Sequence, residues 1–355
     1  MNYSLIYILF GISFLTTYSL IPVIRNLAIK INIVDKPDFR KIHKKEIVRL
    51  ASISIFIGFI FSISSIIPIS RIYELNLNNI FTNNNLLLIL FGFLFFLLGL
   101  IDDLFNISPF IRLFVQSIII YFLWINGIAI NNIDFSWINS DLNWALDSVL
   151  SFIITFLWIS GVANAINWID GLDGLAGSIS IAVFLGLLAV NINLGNLFFI
   201  INISALLGSS FAFLKFNINP AQILMGDGGS YFLGFYLASL TLLTFSDYEF
   251  GTNIFLAFLI LLLPISDMFF IILKRLKNKQ SIFKPDKSHI HHRLLNIGFS
   301  SNQTLLVIFS INQFFVFLTL YFSLSFISSY LMIFSTVWLF ISLFYILFKK
   351  NNNQI

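Results

Sequence analysis

Four polar clusters interrupt a chain that is otherwise strongly apolar, and each carries side chains that bind cations or phosphates. The clusters are Asp102-Asp103, the series from Asn164 to Asp173, Gly226-Asp227-Gly228-Gly229 and His289-Ile290-His291-His292. Carboxylates and imidazoles beside apolar spans are costly, and those that occur there commonly have a function. These clusters are therefore the candidates for a functional site.

The adjacent carboxylates of Asp102 and Asp103 repel each other unless a cation or a proton lies between them. Mg²⁺ prefers oxygen ligands and commonly takes one or two carboxylates together with substrate phosphates. The pair therefore indicates either a magnesium site or a solvated helix end, and these two residues alone leave both interpretations open.

In the second cluster a polar residue recurs at every third position, which places these side chains along one face of a helix. The series is Asn164, Asn167, Asp170 and Asp173, with Gly171 and Gly174 beside the carboxylates. Two amides and two carboxylates on one face could bind the base and ribose of a nucleotide, or a metal ion. The alternative is a polar seam between membrane helices, which would not account for two Asp and two Gly.

The glycine-rich segment around Asp227 predicts the beginning of a helix. Backbone N–H groups at such a helix end bind anions, and the helix dipole favours negative charge there. Asp227 in that position would favour a metal that carries phosphate. A plain helix N-cap is the competing interpretation.

The histidine cluster lies in a basic segment, which favours recognition of a phosphate or diphosphate. Its candidate ligand-binding residues are His289, His291, His292 and Arg293. Lys41 and His43 lie in a second basic segment, 35–44. For both segments the competing interpretation is a basic loop whose charge only sets the membrane topology.

The elements that must position these clusters are apolar helices. The sequence is 58% hydrophobic, contains 44 Phe and has a mean hydropathy of +0.94, which excludes an ordinary soluble protein. Windows of about 20 apolar residues predict about eleven transmembrane helices in one integral-membrane domain, 1–355. We therefore expect an all-α polytopic membrane protein. The predicted spans are 3–24, 49–69, 85–101, 109–130, 146–165, 174–191, 197–214, 229–246, 252–273, 302–322 and 326–347.

Charge predicts the orientation of these spans. The segment 25–49 contains eight Lys and Arg residues and the segment 274–293 contains seven, and both fall on the side of the four clusters. By the positive-inside rule this side is cytoplasmic. An odd span count then places the Lys349-Lys350 tail inside as well. The net charge of +4 needs no nucleic acid partner, and it could help to hold anionic membrane lipids. The absence of Cys excludes disulfides, thiolate metal sites and a cysteine nucleophile.

The order of the motifs resembles the polyprenyl-phosphate N-acetylhexosamine-1-phosphate transferases over nearly the whole chain. The matching motifs are Arg40-Lys41-x-His43, Asp102-Asp103, Asn164-x-x-Asn167-x-x-Asp170-Gly171-x-Asp173-Gly174, Gly226-Asp227-Gly228-Gly229-Ser230 and His289-x-His291-His292. The resemblance implies that a lipid phosphate attacks the β-phosphate of a UDP-sugar at the cytoplasmic face, and that UMP leaves.

The resemblance also implies roles for individual residues. It places Mg²⁺, with Mn²⁺ as the alternative ion, on Asp227 together with Asp173. It assigns contacts to the nucleotide and its metal to Asn167, Asp170 and Asp173, and activation of the lipid phosphate to Asp102 and Asp103. The histidine segment would bind the sugar or its diphosphate.

The expected partners are a UDP-N-acetylhexosamine, with UDP-GlcNAc favoured, and undecaprenyl phosphate in a bacterial inner membrane, where a homodimer is one arrangement the sequence allows. The alternatives are the phospho-N-acetylmuramoyl-pentapeptide transferase of peptidoglycan synthesis, a membrane transporter and a scaffold with degenerate motifs. The sequence departs from the family pattern in two places, and the loss of a Gly-Gly pair gives the scaffold some weight. The run Val48 to Ser52 replaces a common Pro-Arg-x-Gly-Gly sequence, and Asn106 replaces a common third Asp.

Overall fold

Helices make up most of the protein, as the apolar runs predict. The computed structural model describes residues 4–34, 46–135, 143–247, 251–281, 288–324 and 338. Within these ranges the chain forms fourteen helices and four short strands. The helices are α1 (Ser4–Lys30), α2 (Ala51–Ser64), α3 (Ile66–Ile72), α4 (Leu77–Ile80), α5 (Asn83–Phe105), α6 (Pro109–Ile125), α7 (Ser148–Ile169), α8 (Leu175–Leu194), α9 (Leu197–Asn217), α10 (Gly226–Thr244), α11 (Ile254–Ile260), α12 (Leu262–Lys277), α13 (Ile290–Asn296) and α14 (Ser301–Ser323). The strands are β1 (Asn132–Asp134), β2 (Asn143–Ala145), β3 (Ser246–Asp247) and β4 (Gly251–Thr252).

Seven helical segments of the described chain are long and apolar enough to cross a membrane, or eight if the bent pair α11–α12 is one span. The protein is therefore a multi-pass helical membrane protein. Helix α6 is a shorter apolar helix of 17 residues. The predicted run 326–347 falls outside the described residues except for Trp338, so the count of eleven spans stays a prediction.

Helix α10 is the central element, and neighbouring helices enclose it. It packs against α2, α5, α7 and α8. Of its nineteen residues, all but Asp227 and Leu243 are buried. The segment predicted as the eighth span is therefore surrounded by protein along almost its full length, and Asp227 is the polar exception at its beginning.

Local signals explain why α5 and α6 end and begin beside the aspartate pair. Asn106 closes α5 in the left-handed conformation, with φ of 51°, which Asn adopts more readily than most residues. Ser108 then accepts a hydrogen bond from Ile111 N at the beginning of α6, and Pro109 occupies the first turn. The position where relatives often carry a third Asp thus serves here as a helix terminus.

The ninth predicted span, 252–273, is not straight. It consists of α11 and α12, which meet at an angle of 85°. Pro264 stands in the first turn of α12, and its missing N–H cannot continue the hydrogen bonds of α11. The bend directs α12 towards the histidine segment.

A small four-stranded sheet covers the end of the protein opposite the polar clusters. Its strand order is β2-β1-β4-β3, with β1 parallel to β4 and the other two pairs antiparallel. The strands have two or three residues each. The expectation of an all-α protein is therefore correct for the helical bundle and incomplete at this end.

Candidate active site

The N-terminus of α10 is closed by a carboxylate from another helix. Asp103, in the last turn of α5, accepts hydrogen bonds from the backbone N–H groups of Asp227 (2.9 Å) and Gly228 (3.0 Å). Met225, and not Asp227, stands at the N-cap position. The anion that the sequence predicts for this helix end is therefore a side chain of the protein, and Asp227 is not a plain N-cap.

Asp227 lies at the centre of the cluster. Its Oδ1 accepts hydrogen bonds from Asn167 Nδ2 (2.9 Å) and Arg49 Nη2 (3.1 Å). Its Oδ2 lies 3.8 Å from Arg112 Nη1. The side chain is 19% exposed, whereas the side chains of Asp102 and Asp103 are 4% and 1% exposed. Asp227 is thus the carboxylate in this cluster that a ligand can reach most easily.

Asp102 has a different partner from its neighbour Asp103. It forms an ion pair with Arg112 Nη1, whereas Asp103 caps α10 and lies 3.7 Å from Arg49 Nη2. Both carboxylates lie close enough to Asp227 for charge repulsion. The pair that the sequence presents as one unit therefore has two roles: Asp103 holds α10, and Asp102 faces Arg112 and Asp227.

Backbone hydrogen bonds hold the segment that carries Arg49. Leu224 N donates to Val48 O at 2.8 Å, and Ala51 N donates to Leu224 O at 3.2 Å. Ser52 N donates to Met225 O at 3.2 Å. Although this run lacks the proline and glycines common in the family, it is fixed beside α10 and directs Arg49 towards Asp227.

Two glycines allow the close backbone approach that the site requires. A β-carbon at Gly99, one turn before Asp102, would overlap the backbone of Asp227. Gly226 has φ of 76°, and a β-carbon there would overlap the carbonyl of Arg49. Larger residues at these positions would separate the helices that bring the carboxylates together.

The C-terminal end of α7 contributes unequally to the cluster. Asn167 reaches both Asp227 and Ser230 Oγ, at 2.9 Å each. Asn164, one turn earlier, donates to Gln116 Oε1 at 3.0 Å and accepts from Tyr231 OH at 3.4 Å. Asn164 therefore takes part in a polar seam between helices, and its predicted contact with substrate stays a prediction.

Asp170 and Asp173 lie in the turn after α7. Burial of the Asp170 carboxyl raises its pKa well above the usual value, Arg49 opposes that shift, and Asp227, Asp103 and Asp173 add to it. Asp173 Oδ2 accepts a hydrogen bond from Ala221 N at 3.0 Å. Asp170 thus shares the electrostatic environment of the cluster, while one oxygen of Asp173 anchors the loop before α10.

The three histidines lie beside this turn and differ in character. Nδ1 of His289 lies 2.8 Å from Asp267 Oδ2. His291 stacks on His289 with ring centroids 5.5 Å apart, and a β-carbon at Gly171 would come within 2.6 Å of its Nε2. His292 follows with its ring centroid 4.3 Å from that of His291.

His291 is not a cation in this environment. It is 1% exposed, and neither ring nitrogen has a hydrogen-bond partner within the described chain. Burial, followed by the neighbouring His292 and His289, lowers the pKa of His291 to about 3. The predicted binding of a phosphate or sugar by His291 stays a prediction. Arg293 stacks on Phe270, with 5.0 Å between the guanidinium carbon and the ring centroid.

The four motifs meet at one face of the helical bundle, as the sequence predicts. Two residues of the cluster, Arg49 and Arg112, were not among the predicted site residues, because topology alone accounted for their charge. The signal that could have found Arg112 is its position just after a short turn from Asp102. Lys41 and His43 lie outside the described residues, so their predicted roles stay predictions.

The carboxylate ligands in this cluster are of the kind that bind a divalent cation together with a phosphate. Among the described residues, no group of three or more carboxylates and imidazoles forms a ready metal site. Asp227 is nevertheless an accessible carboxylate, and Mg²⁺ usually takes one or two carboxylates when phosphates complete its ligands. By formal charge, the three carboxylates and the two guanidinium groups of the cluster sum to one negative charge.

Comparison with known proteins shows the family to which this chain belongs. Residues 85–245 match the sequence profile of glycosyl transferase family 4. A Bacillus subtilis (strain 168) protein named "Probable undecaprenyl-phosphate N-acetylglucosaminyl 1-phosphate transferase" is 34% identical over 346 residues, which are 96% of this chain and 89% of that protein. The chain belongs to glycosyl transferase family 4.

More distant relatives extend this membership across bacteria. An undecaprenyl-phosphate α-N-acetylglucosaminyl 1-phosphate transferase of Yersinia pestis is 29% identical over 87% of this chain and 80% of its own length. A decaprenyl-phosphate N-acetylglucosaminephosphotransferase of Mycolicibacterium smegmatis is 27% identical over 81% and 74%. The family 4 match spans α5 to α10, and so includes Asp102, Asp103, Asn167 and Asp227. The protein is a transferase, and the prediction made from its motifs is confirmed.

Proposed function

We propose that this transferase moves GlcNAc-1-phosphate from UDP-GlcNAc to undecaprenyl phosphate and so begins synthesis of a cell-envelope glycan. The relatives named above act on polyprenyl phosphates and GlcNAc by their names. The observation that carries the proposal is the position of Asp227, which is reachable and is flanked by Asn167, Arg49 and Arg112.

In the proposed reaction a phosphate oxygen of the lipid attacks the β-phosphorus of the UDP-sugar. The bond between that phosphorus and the oxygen bridging to the α-phosphate breaks, and UMP leaves with the bond's electron pair. The product is a polyprenyl diphosphoryl sugar. Phosphoryl transfer leaves little covalent work to the protein, so positioning and charge stabilisation account for most of the catalysis.

Different side chains would provide the positioning and the charge stabilisation. Arg49 and Arg112 place positive charge where the substrate phosphates must collect. Asp102, held by Arg112, is the candidate to accept the last proton of the lipid phosphate. Asn167 fixes the orientation of Asp227, and the Asp103 cap keeps the beginning of α10 in place.

Asp227 would hold Mg²⁺, with Asp173 as a further proposed ligand and Mn²⁺ as the alternative ion. When bound, the ion supplies positive charge that lowers the repulsion between two anionic reactants. Arg49 and Asn167 both contact Asp227 Oδ1, so they would orient this carboxylate for the ion and the donor.

We propose that the site faces the cytoplasm of a bacterial inner membrane, because Lys and Arg gather on this side of the spans. A transporter is less well supported, because its polar residues should lie near the membrane midplane on broken helices. The peptidoglycan transferase is less well supported because the names of the relatives above specify N-acetylglucosamine.

The decisive experiment measures UMP release by the purified protein with Mg²⁺, undecaprenyl phosphate and a panel of UDP-sugars. We expect turnover with UDP-GlcNAc that EDTA abolishes and Mg²⁺ restores. Asp227→Asn should remove activity while the protein stays folded. Asp147→Asn is the matched control, because Asn retains the N-cap of α7 at the opposite face. Full activity of Asp227→Asn, or turnover in EDTA, would refute the role of Asp227 or of the ion.

A further inference from the structure

Asp267 is an acidic residue within helix α12, and within the described chain its hydrogen bonds do not go to the carboxylate cluster. Its two oxygens bind the histidine segment instead. Oδ2 lies 2.8 Å from His289 Nδ1, and Oδ1 accepts a hydrogen bond from Ile290 N at 2.8 Å. Asp267 and His289 are each 8% exposed. A carboxylate at such depth is costly and requires partners of this kind.

The contact with Nδ1 determines what the His289 ring can do. A carboxylate that accepts from Nδ1–H fixes both the tautomer and the orientation of an imidazole. The bond to Asp267 is the one hydrogen bond of this ring among the described residues. Nε2 is therefore the ring atom left for a ligand.

Trp168 connects this pair with the carboxylate cluster. Its ring lies edge-on to His289, with centroids 6.2 Å apart, and the Arg275 guanidinium carbon lies 5.1 Å from its centroid. Trp168 directly follows Asn167, which binds Asp227. Helix α12 thus supports His289 through Asp267 and Trp168 through Arg275, both at the same side of the carboxylates.

We propose that Asp267 is a positioning residue that holds His289 through Nδ1, so that Nε2 contacts the phosphate or sugar of the donor. Asp267 acts through His289 and touches no substrate. This inference rests on the proposed function for the identity of the donor. The competing explanation is purely structural: Asp267 would only attach α13 to α12 through Ile290 N.

Asp267→Asn separates the two explanations. The N–H groups of His289 and Ile290 reach different oxygens of the Asp267 carboxylate, and Asn replaces one of those oxygens with an NH₂ group that cannot accept. We expect Asp267→Asn to lower kcat/KM for UDP-GlcNAc about tenfold or more, the scale of lost outer contacts to a positioned histidine. The thermal midpoint of Asp267→Asn is measured beside that of Asp147→Asn, the matched carboxylate-to-amide control, so that kcat/KM is expressed per folded molecule.

A double-mutant cycle with His289→Gln gives the readout that a structural role would not produce. If Asp267 acts through His289, Asp267→Asn should have no further effect on kcat/KM in the His289→Gln background. The same loss in both backgrounds would overturn the proposal. Rescue by Asp267→Glu is not expected, because the longer side chain displaces the ring.

A second measurement does not depend on turnover. ¹⁵N NMR of histidine-labelled protein, assigned by subtraction with His289→Gln, reports which ring nitrogen carries the proton. We expect Nδ1–H in the native protein and loss of that tautomer in Asp267→Asn. A native Nε2–H tautomer would overturn the positioning role even in an active enzyme. Absence of UMP release with every UDP-sugar would instead refute the proposed function.

Discussion

Asp103 reaches from the end of α5 to the beginning of α10 and accepts a hydrogen bond from Gly228 N at 3.0 Å. The neighbouring N–H of Asp227 binds the same carboxylate. A side chain that caps another helix links two distant parts of the chain, and here it fixes the residue most accessible to a ligand. The consequence is that Asp102 and Asp103 should respond differently to substitution.

We expect Asp103→Ala to destabilise the protein by about 0.5–2 kcal/mol, the usual cost of a lost helix cap. Asp103→Asn keeps one acceptor oxygen and should therefore lose less stability than Asp103→Ala. Asp102→Asn should instead abolish UMP release with little change in thermal midpoint. The measurements are thermal unfolding in detergent and activity per folded molecule. Equal loss of stability in Asp102→Asn and Asp103→Ala would contradict this division of roles.

Arg112 pairs with Asp102 and lies near Asp227, so replacing Arg112 should weaken binding of the substrate phosphates. We expect Arg112→Gln to lower kcat/KM by about one to two orders of magnitude, the scale of a lost charge-assisted hydrogen bond. Arg112→Lys should recover part of this, because Lys keeps the charge without the planar fork. Arg71→Gln, in α3 at the opposite face, is the control that should behave as wild type.

The close approach of Gly99 to Asp227 predicts that α5 and α10 leave no room for a larger side chain at position 99. Gly99→Ala forces α5 and α10 apart and should destabilise the protein by about 1–3 kcal/mol, the usual range for overpacking. Gly11→Ala in α1 is the matched control, since nothing lies within 4 Å of its added β-carbon. Similar thermal midpoints for the two variants would show that the helices do not approach so closely.

Buried, neutral His291 predicts how stability depends on pH. Its pKa is about 3 in the folded protein, whereas an unfolded His titrates at about 6.5. As the pH falls below about 6.5, His291 binds a proton in the unfolded chain but not in the folded protein. The free energy of unfolding therefore decreases towards pH 3. We expect the thermal midpoint to fall on acidification and His291→Gln to reduce that slope. An unchanged slope would argue against a neutral His291.

The orientation of the bundle can be measured directly, because the sequence contains no cysteine to label. A cysteine at Asn296, in α13, should react with an impermeant thiol reagent only from the cytoplasm. A cysteine at Asn126, at the far end of α6, should react only from outside. Cysteine at Asn352 tests the predicted eleventh span, 326–347: if Asn296 is cytoplasmic, labelling of residue 352 from outside would exclude that span.

Much of this architecture could be predicted because hydrophobic length and motif order are local properties of the sequence. They indicated the helices and the convergence of Asp102, Asn167 and Asp227 at one face. The separate roles of Asp102 and Asp103 could not be predicted so easily. Consecutive helical residues point about 100° apart, and which of the two faces α10 depends on how the helices pack.

Other features depended on contacts between distant parts of the chain. Arg49 and Arg112 looked like topology signals because basic residues are common on that side. The neutrality of His291 follows from burial that no sequence pattern indicates. The sheet consists of strands too short to show the alternating pattern of a predicted strand, and its pairing joins segments more than a hundred residues apart.

The helices that enclose α10 separate the candidate active site from the surrounding lipid. Changes in acyl-chain length tilt helices that contact lipid, but they reach Asp227 only through the surrounding layer of α2, α5, α7 and α8. The outer helices can therefore adapt to membranes of different thickness while the residues proposed to bind phosphate keep their spacing.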